Sequence, residues 1–158
     1  MKGLLISATL ISTAIAANPS LIPWPSRIAL GQDRLVIDSG FSVVVDAQDP
    51  RLALAVTRFV ARLSRQTGIP IQEAFGPISG RVSLTIHCAA PASGYPKLGD
   101  DESYQLEVSA AGATLTAPIS TGVLRGLETL AQLVEAGPDG FSCPASPSTT
   151  RRAFPGAG

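Results

Sequence analysis

The side chains that could perform acid, base or metal chemistry are few, and they are scattered along the chain. Asp100, Asp101 and Glu102 are adjacent in a stretch rich in Gly, Pro and Ser. Glycoside hydrolysis by carboxylates needs two such groups in contrasting environments, and no counterpart to these three is visible. His87 is the only histidine, and it lacks the partners that would complete a zinc site. We therefore predict no catalytic residue, no metal and no cofactor, and we interpret the acidic stretch as a solvated loop.

The two cysteines, Cys88 and Cys143, are candidates for a disulfide if the chain is exported. Closing the long loop between them would stabilise the fold by roughly 4 kcal/mol in the chain-entropy model. Their positions in the sequence do not place the two Cα atoms within bridging distance. A disulfide and two unpaired thiols therefore both remain open.

Overall charge and length exclude several classes of function. Twelve Lys and Arg balance twelve Asp and Glu, so no net field attracts the chain to nucleic acid or to an anionic membrane surface. At 158 residues the chain has room for one domain with a core, and a second catalytic domain of ordinary size does not fit. We expect one globular domain that does not bind nucleic acid.

Residues 1–17 have the pattern of a secretory signal peptide. Lys2 precedes an apolar stretch over 4–15, and small residues follow at 14–16. The stretch is shorter than the roughly 20 residues that span a bilayer, which disfavours the alternative of a retained anchor. We expect cleavage near Ala17, a secreted or periplasmic protein, and no membrane span afterwards.

The first half of the remaining chain predicts two strands and a helix. Apolar, β-branched runs at 35–37 and 41–45 are typical of successive strands or a hairpin. Apolar residues recur at helical spacing over 50–67, with Asp49-Pro50 as the start and Gly68 as the stop. The opposite side of this helix carries arginines, which we interpret as a solvated face rather than a grip for an acidic sugar or a partner. These arginines are Arg51, Arg58, Arg62 and Arg65.

The second half predicts further strands and a second helix. Alternating residues indicate half-buried strands at 81–88 and 102–108, and the second of these should form a hairpin with 113–117. A helix follows over 120–135, with Ser120 or Thr121 as its N-cap and Gly137-Pro138 as its stop.

The second helix has an unusually wide apolar arc. Its apolar residues cover about half of the circumference, more than a helix lying on one sheet needs. Gly122 and Gly126 lie one turn apart and would let another backbone come close. We infer that this helix is covered from two directions. The residues that we assign to packing between domains are Gly122, Gly126, Leu127 and Leu130.

Two segments of the chain resemble the bacterial beta-hexosaminidases of glycoside hydrolase family 20. One is the Pro-x-Pro lead-in at 18–27 followed by the strand at 35–38. The other is a Glu-x-Tyr-x-Leu strand at 102–106, followed by a Gly-x-x-x-Gly-x-x-Thr-x-x-Gln-Leu helix at 122–133. The likeness extends over 18–142, and the pattern is lost in the Pro- and Ser-rich tail at 143–158, for which we predict disorder or truncation.

The resemblance implies a fold and a role. The corresponding family domain is an α+β two-layer sandwich, with a mostly antiparallel sheet and two helices on one face that lie against a catalytic barrel. The catalytic Asp and Glu belong to that barrel, so neither maps onto this chain, which we predict to be inactive alone. The parent would be a secreted beta-N-acetylhexosaminidase that hydrolyses terminal N-acetylhexosamine residues.

A rival interpretation makes the domain a stand-alone secreted module that binds N-acetylhexosamine glycans or docks a partner. Trp24, Tyr95 and Tyr104 would then be the sugar-stacking platforms. Aromatic residues make up only 5% of the chain and form no cluster, which favours the scaffold interpretation over this rival.

Overall fold

The computed structural model describes residues 21–22, 26–46, 49–71, 82–91, 97 and 99–151. Within these ranges the chain forms strands and two helices. The helices are α1 (Pro50–Thr67) and α2 (Ser120–Leu133). The strands are β1 (Arg27–Ala29), β2 (Arg34–Ile37), β3 (Val43–Val45), β4 (Leu84–Ala90), β5 (Gln105–Ser109), β6 (Gly112–Ile119), β7 (Glu135–Gly137), β8 (Gly140–Pro144) and β9 (Ser146–Arg151). Neither helix is long and apolar enough to cross a membrane, among the residues described.

The strands form a six-stranded and a three-stranded sheet. The larger sheet has the order β1-β9-β5-β6-β4-β3, with β3, β4 and β6 parallel and the other pairs antiparallel. The smaller sheet, β2-β8-β7, is antiparallel. The predicted α+β fold and the β5–β6 hairpin are confirmed. The strands predicted at 35–37 and 41–45 are successive rather than a hairpin, because β2 pairs in the smaller sheet and β3 in the larger one.

Helix α1 has the predicted boundaries because both of its ends are capped locally. Asp49 is the N-cap and accepts a hydrogen bond from the backbone nitrogen of Arg51 at 2.9 Å, and Pro50 occupies the first turn. Gly68 ends the helix in the left-handed region at φ 71°, and its N–H donates to the Ser64 carbonyl at 2.8 Å. The apolar side, which includes Leu52 and Leu63, is buried in the single apolar core that the sheets share.

Helix α2 differs from the prediction at both ends. Strand β6 runs directly into it, so that the N-cap is the extended residue Ile119, which makes no side-chain capping bond. The Ser120 hydroxyl donates instead to the Asp49 carboxylate at 2.6 Å and ties the two helix starts together. The helix stops at Leu133, before the predicted Gly137-Pro138, because the following residues pair as β7 with β8.

Residues 143–151, which the sequence placed in a disordered or truncated tail, form the end of β8, the link at Ala145 and strand β9. Strand β9 lies between β1 and β5 and hydrogen-bonds to both. The Ala145 N–H donates to the Asp33 carbonyl at 2.8 Å where the chain passes from the smaller sheet to the larger. Pairing is irregular in the stretch that contains Pro147, which has no N–H to donate. Residues 152–158 lie outside the described ranges.

Candidate docking surface between the two helices

The acidic residues at 100–102 are engaged in local structure. The Asp101 carboxylate accepts the Ser103 N–H at 2.8 Å, and hydrogen bonds from Ser103 lower the pKa of Asp101. Glu102 receives two hydrogen bonds from the Arg125 guanidinium, at 3.0 and 2.8 Å. That pairing raises the pKa of Arg125. These carboxylates therefore shape the loop and fasten it to α2.

His87 Nδ1 forms a hydrogen bond with the Asp46 carboxylate, which also accepts the Cys88 N–H at 3.4 Å. The His87 hydrogen bond is the main reason that the pKa of Asp46 lies below its usual range. Both side chains are about half exposed, at 45% and 48%. No cluster of three or more His, Cys, Asp or Glu side chains able to hold a metal occurs among the described residues.

Both cysteines are free thiols in the structure. Cys88 lies in β4 of the larger sheet and donates to the Ala90 carbonyl at 3.2 Å. Cys143 lies in β8 of the smaller sheet and is fully buried. Burial raises the pKa of the Cys143 thiol to about 12. The candidate disulfide is thus not formed in this structure, where the two residues belong to different sheets.

The two glycines of α2 face the chain's own sheet. A Cβ at Gly122 would lie 2.2 Å from the Ser103 carbonyl oxygen, and a Cβ at Gly126 would lie 2.2 Å from Leu115 Cδ1. Leu130 is likewise only 1% exposed. The sequence assigned these three residues to packing between domains, and the structure places their faces against other parts of this domain. Of the four residues in that assignment, only Leu127 reaches the outer groove between the helices.

The remaining residues of the α2 motif also fasten the helix. The Thr129 hydroxyl lies 2.7 Å from the hydroxyl of Tyr104 on the neighbouring segment. The Gln132 side chain donates to the Ile22 carbonyl at 3.0 Å and accepts the Ile22 N–H at 2.8 Å, which anchors the lead-in segment. Since Tyr104 is only 2% exposed, it cannot be a sugar platform. Trp24 and Tyr95 lie outside the described residues.

A groove of about 470 Å³ runs between the outer faces of α1 and α2. We call it the interhelix groove. Its two most exposed apolar side chains are Leu54 of α1 and Leu124 of α2, at 50% and 47%. The groove is lined by Arg51, Leu54, Ala55, Arg58, Phe59, Arg62, Leu124, Leu127, Glu128 and Ala131.

Sequence reasoning missed the part that α1 plays in this groove. We interpreted its arginine face as solvated, and Arg62 in fact forms an ion pair with Glu128 of α2. The available signal was Leu54, an apolar residue among the arginines, one turn from Arg58. We also inferred that α2 is covered from two directions. Its inner side packs within this domain. Its outer side faces the interhelix groove, where Leu124 is half exposed within this chain.

The fold and the groove define a two-layer α+β domain whose outer helix face has no cover within the described chain. The family model for glycosyl hydrolase family 20, domain 2, matches residues 18–148. The chain belongs to this family.

Known proteins similar to the chain include hexosaminidases and a chitobiase. Beta-hexosaminidase subunit A1 from Dictyostelium discoideum is 27% identical over 139 residues, which are 84% of this chain and 24% of that protein. The Flavobacterium johnsoniae chitobiase structure is 32% identical with a TM-score of 0.74, over 85% of this chain and 21% of that one. The Streptomyces plicatus N-acetyl-beta-hexosaminidase, at 22% identity and TM-score 0.61 over 80% of this chain and 24% of that one, shares the fold. This chain therefore spans about a quarter of the relatives it matches.

Proposed function

We propose that this domain is a non-catalytic scaffold of a secreted beta-N-acetylhexosaminidase, and that its interhelix groove packs against a family 20 catalytic barrel. Family membership and the short span relative to the hexosaminidases support the role of one domain in a larger enzyme. The signal-peptide pattern of residues 1–17 supports secretion. The carboxylates at 100–102 support a non-catalytic role, because Asp101 accepts a hydrogen bond within the loop and Glu102 forms an ion pair with Arg125.

The observation that carries the proposal is the pair Leu54 and Leu124. They come from different helices and face one groove, and each leaves about half of its surface in water. Covering those halves would contribute about 1 kcal/mol each at ordinary transfer values. The opposite face of the larger sheet is polar and carries Glu107 and Thr116 exposed. The helix side is therefore the one suited to packing against another domain.

A chimera tests the docking role. This chain replaces the matched region of the Flavobacterium johnsoniae chitobiase, which is 21% of that protein. We expect one cooperative thermal transition and retained chitobiase activity, because the groove couples the two parts. L54E and L124E should each lower the temperature of this single transition. V36E changes an equally exposed apolar residue outside the groove and should leave that temperature unchanged. Independent melting of the two parts would rule the docking role out.

The non-catalytic role has a separate test. The purified chain alone is assayed on a chromogenic N-acetylglucosaminide, with the intact chitobiase as the positive control. We expect no turnover above the uncatalysed rate. Turnover that co-purifies with the folded chain would contradict the proposal, whatever the chimera shows.

A further inference from the structure

The interhelix groove has an excess of positive charge at its rim. Three guanidinium groups line it, and Glu128 is the only carboxylate among the described lining residues. That carboxylate already forms the ion pair with Arg62. An occupant of the groove therefore meets a cationic rim.

Arg58 is the cation whose charge is least compensated. Arg51 lies at the start of α1, close to Asp49. The hydrogen bond from Ser120 is the main cause of the lowered pKa of the Asp49 carboxyl, and the charge of Arg51 contributes to it. Arg58 lies exposed in the middle of the helix and forms no ion pair within the described part of the chain. A carboxylate delivered to the centre of the groove would pair with Arg58.

The floor and walls of the groove are apolar. Phe59 and Leu127 are 5% and 4% exposed and form the floor, while Leu54 and Leu124 rise on either side. A fully ionic occupant would leave these walls in water, and a fully apolar one would desolvate Arg58 without a partner. The surface therefore suits an occupant with both properties.

The structure assigns to the interhelix groove a segment of the catalytic barrel that inserts an apolar side chain between Leu54 and Leu124 and presents a carboxylate to Arg58. This assignment rests on the proposed function, because it specifies the chemistry of the barrel surface that the scaffold contacts. A second copy of this chain is a poor occupant, since a symmetric contact would bring two cationic rims together.

The isolated chain permits a direct test with anilinonaphthalene sulfonate, a dye that combines an apolar ring system with one negative charge. We expect it to bind at the groove with an affinity that falls as salt rises. R58E should weaken binding by about fivefold or more, because an attractive charge becomes a repulsive one. The neutral dye Nile red should change by less than about twofold. R65E is the matched control, since Arg65 lies exposed on the same helix but outside the groove.

Far-UV circular dichroism shows whether each variant is folded, and R58Q replaces R58E if the latter is not. Equal effects of R58E and R65E on the anionic dye would overturn the assignment. The chimera then separates the two proposals. If the R58E and R65E chimeras each melt in one cooperative transition, and the two transition temperatures are equal, the charge assignment fails and the scaffold role stands. If this domain and the barrel melt separately, both the scaffold role and the charge assignment are ruled out.

Discussion

The contact between Gly122 and the Ser103 carbonyl allows a sharp test of how α2 is attached. A Cβ built at Gly122 lies 2.2 Å from that oxygen and 3.0 Å from Ala117 Cβ. Because real Cβ contacts are essentially never shorter than 3.0 Å, G122A requires the helix and the Ser103 backbone to separate by about 0.8 Å. The obstacle is main chain, so no side-chain rotation relieves it.

Two opposing effects set the magnitude of the G122A change. Replacing a helical glycine by alanine favours the helix by about 1 kcal/mol. Overpacking against a rigid neighbour costs about 1–3 kcal/mol, and we expect the upper end because the shift also strains the 2.7 Å contact between Tyr104 and Thr129. The net loss should be about 2 kcal/mol, or a melting temperature lower by about 4–8 °C for a domain of this size.

Urea denaturation followed by circular dichroism measures this loss in the isolated chain. G137A is the matched control, since a Cβ there would lie 3.6 Å from the Gly140 carbonyl oxygen, an ordinary contact. Its free energy of unfolding should stay within about 0.5 kcal/mol of the parent. If G122A is as stable as the parent, or more so, the close approach of α2 to the Ser103 backbone is not as described.

Two further substitutions probe other attachments of the helices. Y104F should lower the free energy of unfolding by about 1–2 kcal/mol, because the buried Thr129 hydroxyl loses its partner. The double variant Y104F/T129V should recover part of this loss in the same urea titration. A double variant less stable than Y104F would contradict the pairing. D49A should cost about 1 kcal/mol at pH 7 through the lost N-cap. The folded-state pKa of Asp49 is lowered, so its contribution is present above the unfolded pKa and is lost as pH falls through the folded one. The difference between D49A and the parent should therefore shrink in titrations below about pH 4, and a difference that stays constant would refute this reasoning.

Local signals in the sequence were sufficient for several elements. Helix α1 has its predicted bounds because Asp49 and Gly68 form their capping hydrogen bonds with residues close to them in the sequence. The β5–β6 hairpin has the predicted pairing for the same reason, since its turn joins strands that are adjacent in the sequence. The motif at 122–133 identified the family, and the structure gives its residues a physical role in holding α2 to the sheet and to the lead-in segment.

Only the tertiary structure decided how distant segments meet. The Pro-, Ser- and Thr-rich stretch at 146–151 favours disorder by composition, yet two flanking strands supply hydrogen bonds to its backbone. The direction in which Gly122 and Gly126 face was equally undetermined, because an apolar arc does not say which neighbour covers it. The interhelix groove joins side chains about 70 residues apart in sequence. Periodicity within one helix carries no information about such a pairing, whereas the packing of both helices on one core creates it.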